Sequence, residues 1–289
     1  MKPILPVFAA LAAIPALLAG GCFDRRVPHP ERVAESLAEL EAARGETTIL
    51  DLTAAEGLEA FPEGLGACPA LRRLWLRGQK AAAEVPASIA EAKGLAELDL
   101  SETGLKDLPP EAATLPALRH LYLSDNGLTA LPAAVCGMTG LTYLNLDRNA
   151  LTNLPEEVGA LKGLKWVRLN GNKLLDLPAS AAEWKDIRRL YLRGNGLKKV
   201  PDAVLAMTSL EQLDLGGNDL ESVPEALCAL PHLQRLDLDG NPRLAALPMA
   251  ITNMPELTHL FVYRTGISTA EVGRVRAAKP DAVRFHIGF

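Results

Sequence analysis

The chain has 289 residues, a formal charge of −5, 48% hydrophobic residues and only 4% aromatic ones. A mildly acidic protein without a basic run is poorly suited to nucleic acid, which needs clustered lysine and arginine to neutralise phosphates. The length exceeds what one round core supports, so the apolar residues must divide into domains or spread along one dimension.

The first segment in chain order reads as a leader. Met1 and Lys2 supply a small positive charge, nothing from Pro3 to Phe23 is charged, and Ala19-Gly20-Gly21 stand immediately before Cys22. The uncharged run is barely long enough to span a bilayer, and Pro3, Pro6 and Pro15 interrupt it, which argues against a retained helix. The arrangement resembles a bacterial lipoprotein signal, with a plain secretory signal as the alternative. Ala19 departs from it, standing where such signals most often carry leucine, while Leu18 lies one place earlier. The resemblance implies a signal peptide over 1–21, cleavage before Cys22, lipidation of Cys22, and a tether over 22–29. It also implies a bacterial cell envelope, and Phe23 in place of aspartate after the cysteine favours the outer membrane.

Residues 30–46 read as an N-terminal cap. A helix is predicted over 30–43, with Pro30 at its first position, Gly45 just past its end, and Val33, Leu37 and Leu40 on one apolar face.

From Thr47 to residue 267 the chain repeats itself. Units begin at Thr47, Leu71, Leu95, Leu118, Leu141, Leu164, Ile187, Leu210, Leu233 and Leu257, so each restarts after 23 or 24 residues. Self-similarity at such a period means a solenoid, in which each unit buries its apolar face only against its neighbours. In the unit from Leu141, Leu144 and Leu146 alternate with Tyr143, Asn145 and Asp147, so a short strand points leucines inward and the other three outward. An asparagine closes the strand at Asn126, Asn149, Asn172, Asn195, Asn218 and Asn241. Its amide both donates and accepts, which suits it to pair backbone groups buried by a turn. By the same register Asn170 points outward and is expected to matter little for stability. A proline recurs at Pro62, Pro86, Pro109, Pro132, Pro155, Pro178, Pro201, Pro224 and Pro248. Proline is excluded from a central strand, so the return path is extended or loosely helical.

This pattern resembles the leucine-rich repeat family, in its 23-residue class with Leu-Pro-x-x-Ile on the return side. The resemblance covers residues 47–267 and implies an α/β fold. The expected form is a right-handed horseshoe of about ten repeats, with parallel strands on the concave face and a macromolecular partner bound there. Departures lie toward the ends: Ala55, Gln79, Thr103 and Thr265 occupy the asparagine slot.

Residues 268–289 read as a C-terminal cap. Ser268 and Glu271 have the spacing of a capping box, Val272 and Val275 give a short helix its apolar side, and Lys279-Pro280 stops it. Val283, Phe285 and Ile287 then alternate as a last strand.

Catalytic and metal constellations are not evident, so neither an enzyme nor a cofactor is expected. Cys136 and Cys228 fall in the same slot four units apart, about 19 Å at roughly 4.8 Å per strand, beyond the roughly 7 Å reach of a disulfide. The concave histidines His120 and His259 are six units apart. Asp214, Asp237 and Asp239 cluster on adjacent strands, where a cation site is conceivable and a solvated acidic patch is favoured.

The three outward columns of the concave face carry the one functional signal. They hold seven of the eleven aromatics that follow Phe23, namely Trp75, Tyr122, Tyr143, Trp166, Tyr191, Phe261 and Tyr263. Strand propensity does not account for this, because β-branched residues would serve equally and only Ile49 and Thr53 appear there. Tyr122, Tyr143, Trp166 and Tyr191 fall on four successive strands, interleaved with Arg168, Arg189 and Arg193. Aromatic and arginine side chains dominate interface hot spots, so a protein partner is expected on this patch. The alternative is an envelope glycan or peptidoglycan, whose sugar rings also stack on aromatic faces.

Overall fold

The computed structural model describes residues 31–278 and, by backbone alone, 284–286. Cys22, the leader and the tether lie outside the described residues, as do Lys279, Pro280, Val283 and Ile287.

Leucine pairs two residues apart set the strands. Ten three-residue strands carry one inward leucine or valine flanked by two outward side chains: β2 (Ile49–Asp51), β3 (Arg73–Trp75), β4 (Glu97–Asp99), β5 (His120–Tyr122), β6 (Tyr143–Asn145), β7 (Trp166–Arg168), β8 (Arg189–Tyr191), β9 (Gln212–Asp214), β10 (Arg235–Asp237) and β11 (His259–Phe261). Two further strands, β1 (Val33–Ala34) and β12 (Arg284–His286), close the row. All twelve lie in one open sheet in chain order, each parallel to the next. The register advances by one unit per strand, so Tyr143 sits beside Trp166 and Trp166 beside Arg189. Spatial columns are therefore the sequence columns.

The return side begins at each proline. Pro86, Pro109, Pro155, Pro178, Pro201, Pro224 and Pro248 each precede a short 3-10 turn, and Pro132 precedes the short α-helix α2 (Ala133–Gly137). Proline's fixed φ and missing N–H suit it to open a helical turn while ending an extended one. Between the two sides lies a continuous core of leucines, most of them less than 2% exposed, with Trp184 packed among them. Its indole donates to the Val158 carbonyl at 2.8 Å. Cys68, Cys136 and Cys228 are buried free thiols in this core, raised in pKa by burial.

Inside the turn runs a hydrogen-bonded ladder. Asn149 Nδ2 donates to the carbonyls of Leu123 at 2.9 Å and Leu146 at 3.0 Å, and its Oδ1 accepts from the Leu128 N–H at 3.0 Å. Asn172, Asn195, Asn218 and Asn241 repeat the arrangement one coil further on. Gln79, one methylene longer, reaches the Leu52 and Ala55 carbonyls at 2.7 and 3.0 Å. The shorter Thr103 bonds the carbonyl of Leu100 within its own coil at 2.9 Å. The residue before each of these slots from Gly78 to Arg264 has a positive φ. Glycine fills most such places, but Glu102, Asp125, Arg148 and Arg264 do so at φ between 50° and 61°.

The N-terminal cap differs from the helix expected over 30–43. Val33–Ala34 form β1, and the helix α1 is confined to Leu37–Ala42, capped by the Ser36 hydroxyl accepting from the Glu39 N–H. Ala34 and Leu40 carry the burial, while Val33 and Leu37 are exposed. The reason is the open edge of β2, whose N–H groups need acceptors. The Arg32 carbonyl takes those of Thr48 and Ile49, and Ser36 offers the N-cap that proline lacks.

At the other end α3 (Thr269–Ala278) buries Val272 and Val275. The Ser268 hydroxyl accepts from the Glu271 N–H at 3.2 Å. The Glu271 carboxylate turns instead to the Leu247 N–H and Arg274, so it pins the helix to the previous coil rather than completing a box.

Candidate functional site

Rings on neighbouring strands touch because the strand spacing matches the width of an aromatic contact. Tyr122 and Tyr143 have ring centroids 4.9 Å apart, Tyr143 meets Trp166 edge to face at 5.1 Å, and Trp166 meets Tyr191 at 6.0 Å. His120 adds an edge contact to Tyr143 at 6.0 Å. Four strands, β5 to β8, thus share one unbroken row of rings. Burial pushes the Tyr143 phenol up to about 12 and raises those of Tyr122 and Tyr191, so all three remain neutral donors.

The arginines divide into two kinds. Arg168 lies 5.6 Å over the Tyr191 ring, and its Nε donates to the buried Asp147 at 2.6 Å. Arg193, just beyond β8, bonds Asp214 at 3.0 Å and Asp237 at 2.7 Å. Burial would lower the Arg193 pKa, but these two aspartates outweigh it and raise it. Arg189 is different: its guanidinium stacks 5.0 Å over Trp166 and makes no ion pair among the described residues.

The structure therefore brings Tyr122, Tyr143, Trp166, Arg168, Arg189, Tyr191 and Arg193 onto one face. It also fills the acidic cluster from within: the cation between Asp214 and Asp237 is Arg193, with Arg235 at 3.7 Å from Asp237. Burial first, then mutual repulsion, raises the carboxyls of Asp214 and Asp239. Among the described residues no group of histidine, cysteine, aspartate and glutamate is placed to hold a metal ion.

Three features of the face escape the sequence columns. Asn170, expected to be idle, accepts from the Arg193 N–H at 2.9 Å and donates its own N–H to Asp147 at 2.8 Å, tying three coils together. Glu97 accepts from the Trp75 indole at 2.8 Å and sits 3.6 Å from His120. Burial would raise its carboxyl, but His120, Trp75 and Arg73 together hold it below the ordinary value. The Trp166 Nε1 is buried and has no hydrogen-bond partner among the described residues, in the middle of the ring row. The ion pairs Asp147–Arg168 and Arg193–Asp214 both span 21 residues. That is one coil minus the two-residue alternation of a strand, and this spacing was the signal available for them.

A stack of similar strand-and-turn coils in one open parallel sheet makes the molecule a solenoid with one broad, polar-aromatic face. The chain belongs to the leucine-rich repeat family, whose profile matches the overlapping stretches 93–151, 116–174, 139–197, 162–220 and 185–242. Domains of this family generally mediate protein–protein interaction. No curated protein sequence matches the chain.

Similar solved structures include a leucine-rich repeat protein of Leptospira interrogans, 22% identical, with a TM-score of 0.62 over 90% of this chain and 100% of that one. An internalin of Listeria monocytogenes is 19% identical, with a TM-score of 0.62 over 88% of this chain and 77% of the other. The plant peptide hormone receptor RGFR1 in complex with RGF2 is 24% identical, with a TM-score of 0.62 over 84% of this chain and 40% of the receptor. At these identities the likeness is one of fold. Among the described residues no helix is long and apolar enough to cross a membrane.

Proposed function

We propose that this protein is a lipid-anchored, non-enzymatic interaction module of a bacterial cell envelope that grips a protein partner on the face of β5 to β8. The observation that carries the reading is the unbroken row of rings from Tyr122 to Tyr191, flanked by arginines on an otherwise polar face. Rings held by their neighbours lose little side-chain freedom when a partner covers them, so most of the desolvation gain appears as affinity. Anchoring through Cys22 rests on the sequence of the leader. It would hold the solenoid near the membrane.

The test is capture of the native partner from solubilised envelopes by Trp166→Ala. Truncation should cost roughly 2 kcal/mol or more, about a thirtyfold loss of affinity. The fold should survive, because Leu164 and Val167 carry the local packing and the indole N–H makes no bond to lose. Lys162, exposed on the return side, is the matched control and should change binding by less than about 0.5 kcal/mol. Full binding by Trp166→Ala, with loss on substituting the return side, would move the partner to the other face. Loss on removing only two or three rings, with competition by purified glycan, would favour a sugar.

A further inference from the structure

The three columns of the strand face differ in charge. The middle column holds Asp51, Asp99, Asp214 and Asp237, whereas the first column carries no carboxylate from His120 to His259. The buried acids of the other two columns are neutralised internally, Asp147 by Arg168 and the pair Asp214 and Asp237 by Arg193. Most cations of the first column and the ridge before it also have an acid partner, among them Arg235 with Asp237 and Arg73 with Glu31, but two do not. Arg189 lies over Trp166 with no acid partner, and Lys165, exposed immediately before β7, makes no ion pair either among the described residues. The backbone places the two together, since the Lys165 carbonyl accepts from the Arg189 N–H at 3.1 Å. On the same ridge Arg188 is already satisfied by Glu211 at 2.7 Å. Further along the column Arg235 lies 4.0 Å over Phe261, but it keeps an acid partner, Asp237, at 3.7 Å.

An uncompensated pair of cations beside an aromatic platform, in a chain of net charge −5, selects an anionic occupant. We propose that the partner presents an extended acidic segment that crosses the strands along the first column, with a carboxylate seated on Arg189 and Lys165 over the Trp166 ring. The inference rests on the proposed binding face and adds the chemistry of what it binds. From His120 to His259 the column runs six strand spacings, roughly 29 Å, the reach of about nine extended residues. Arg189 lies near its middle. Charge-assisted bonds to a guanidinium already held on a ring cost little ordering entropy.

The experiment uses the full-length protein in detergent and two fluorescent peptides of about nine residues, one alternating glutamate and alanine and one with glutamine in place of glutamate. Anisotropy at low salt should show the glutamate peptide binding at least about tenfold more tightly, and the preference should fall as salt rises. Arg189→Ala combined with Lys165→Ala should remove most of that preference, and Arg189→Lys should restore part of it. Lys162→Ala should leave it intact.

Equal binding of the two peptides, or a preference untouched by the double variant, overturns the inference. A heparin oligosaccharide that binds the same residues more tightly than the glutamate peptide also overturns it, in favour of an anionic glycan. Parallel capture of the native partner separates the two levels. If Trp166→Ala abolishes capture while the peptides bind alike, the face stands and its acidic occupant does not. If capture ignores Trp166 while the acid preference persists, the face reading is what fails.

Discussion

The asparagine ladder makes a prediction that depends on counting shared bonds. Asn172→Ala removes donors to the Leu146 and Leu169 carbonyls and the acceptor of the Leu151 N–H. Leu146 O still accepts from Asn149, and Leu169 O still accepts from Asn195. Only the Leu151 N–H is orphaned, so the cost is on the order of 1–3 kcal/mol. Asn241 stands at the end of the ladder and is fully buried. Leu215 O keeps Asn218, but Leu238 O accepts from Asn241 alone among the described residues, because the next slot holds Thr265, whose short hydroxyl bonds Val262 O in its own coil. Asn241→Ala therefore orphans two buried groups, the Leu238 carbonyl and the Leu220 N–H, for about 2–6 kcal/mol. Urea melts followed by circular dichroism should rank Asn241→Ala as the more damaging by about 1–2 kcal/mol. Amide exchange should show Leu220 newly exposed in that variant. An Asn172→Ala protein that is as damaged as Asn241→Ala, or more so, would show that sharing between rungs gives no protection.

Glu97→Gln tests the electrostatics of the face. The folded-state carboxyl is depressed, so its stabilisation is present above the unfolded glutamate pKa of about 4.3 and is lost as pH falls through the lower folded value. The gap in urea midpoint between wild type and Glu97→Gln should be widest at neutral pH and close in acid; a gap independent of pH would remove the assigned role of His120, Trp75 and Arg73. Cys22→Ser should abolish incorporation of labelled fatty acid and release the protein from lipid attachment, and equal labelling of the variant would refute the anchor.

The sequence made the columns legible because every coil repeats the same inward leucines, and a strand two or three residues long permits one register only. Tyr143, Trp166 and Arg189 could be placed side by side for that reason. The asparagine slot was equally plain, since six copies fill it. What stayed hidden was diagonal. Asp147 points outward in the strand register, yet it is buried under Arg168 from the next coil, and Asn170, expected to matter little, bonds the backbone of the coil after it. The extent of the N-terminal helix stayed hidden because Val33, Leu37 and Leu40 have helical spacing, although Val33 lies in β1. The demand of an open sheet edge is a tertiary fact that local spacing does not encode.

The one-coil reach of every rung also governs how this protein can change in length. Each asparagine donates to its own coil and the one before, and each ring of the row touches only the adjoining strands, so neither the ladder nor the row registers how many coils lie beyond. A segment of one whole period, such as 164–186, could be excised in principle while leaving Asn149 and Asn195 as matching neighbours. A segment one residue longer would turn the following leucines outward and bring their polar partners in. The molecule is thus quantised along its axis. Its row of rings is a string of successive coil positions, and losing that period would set Tyr143 directly beside Arg189.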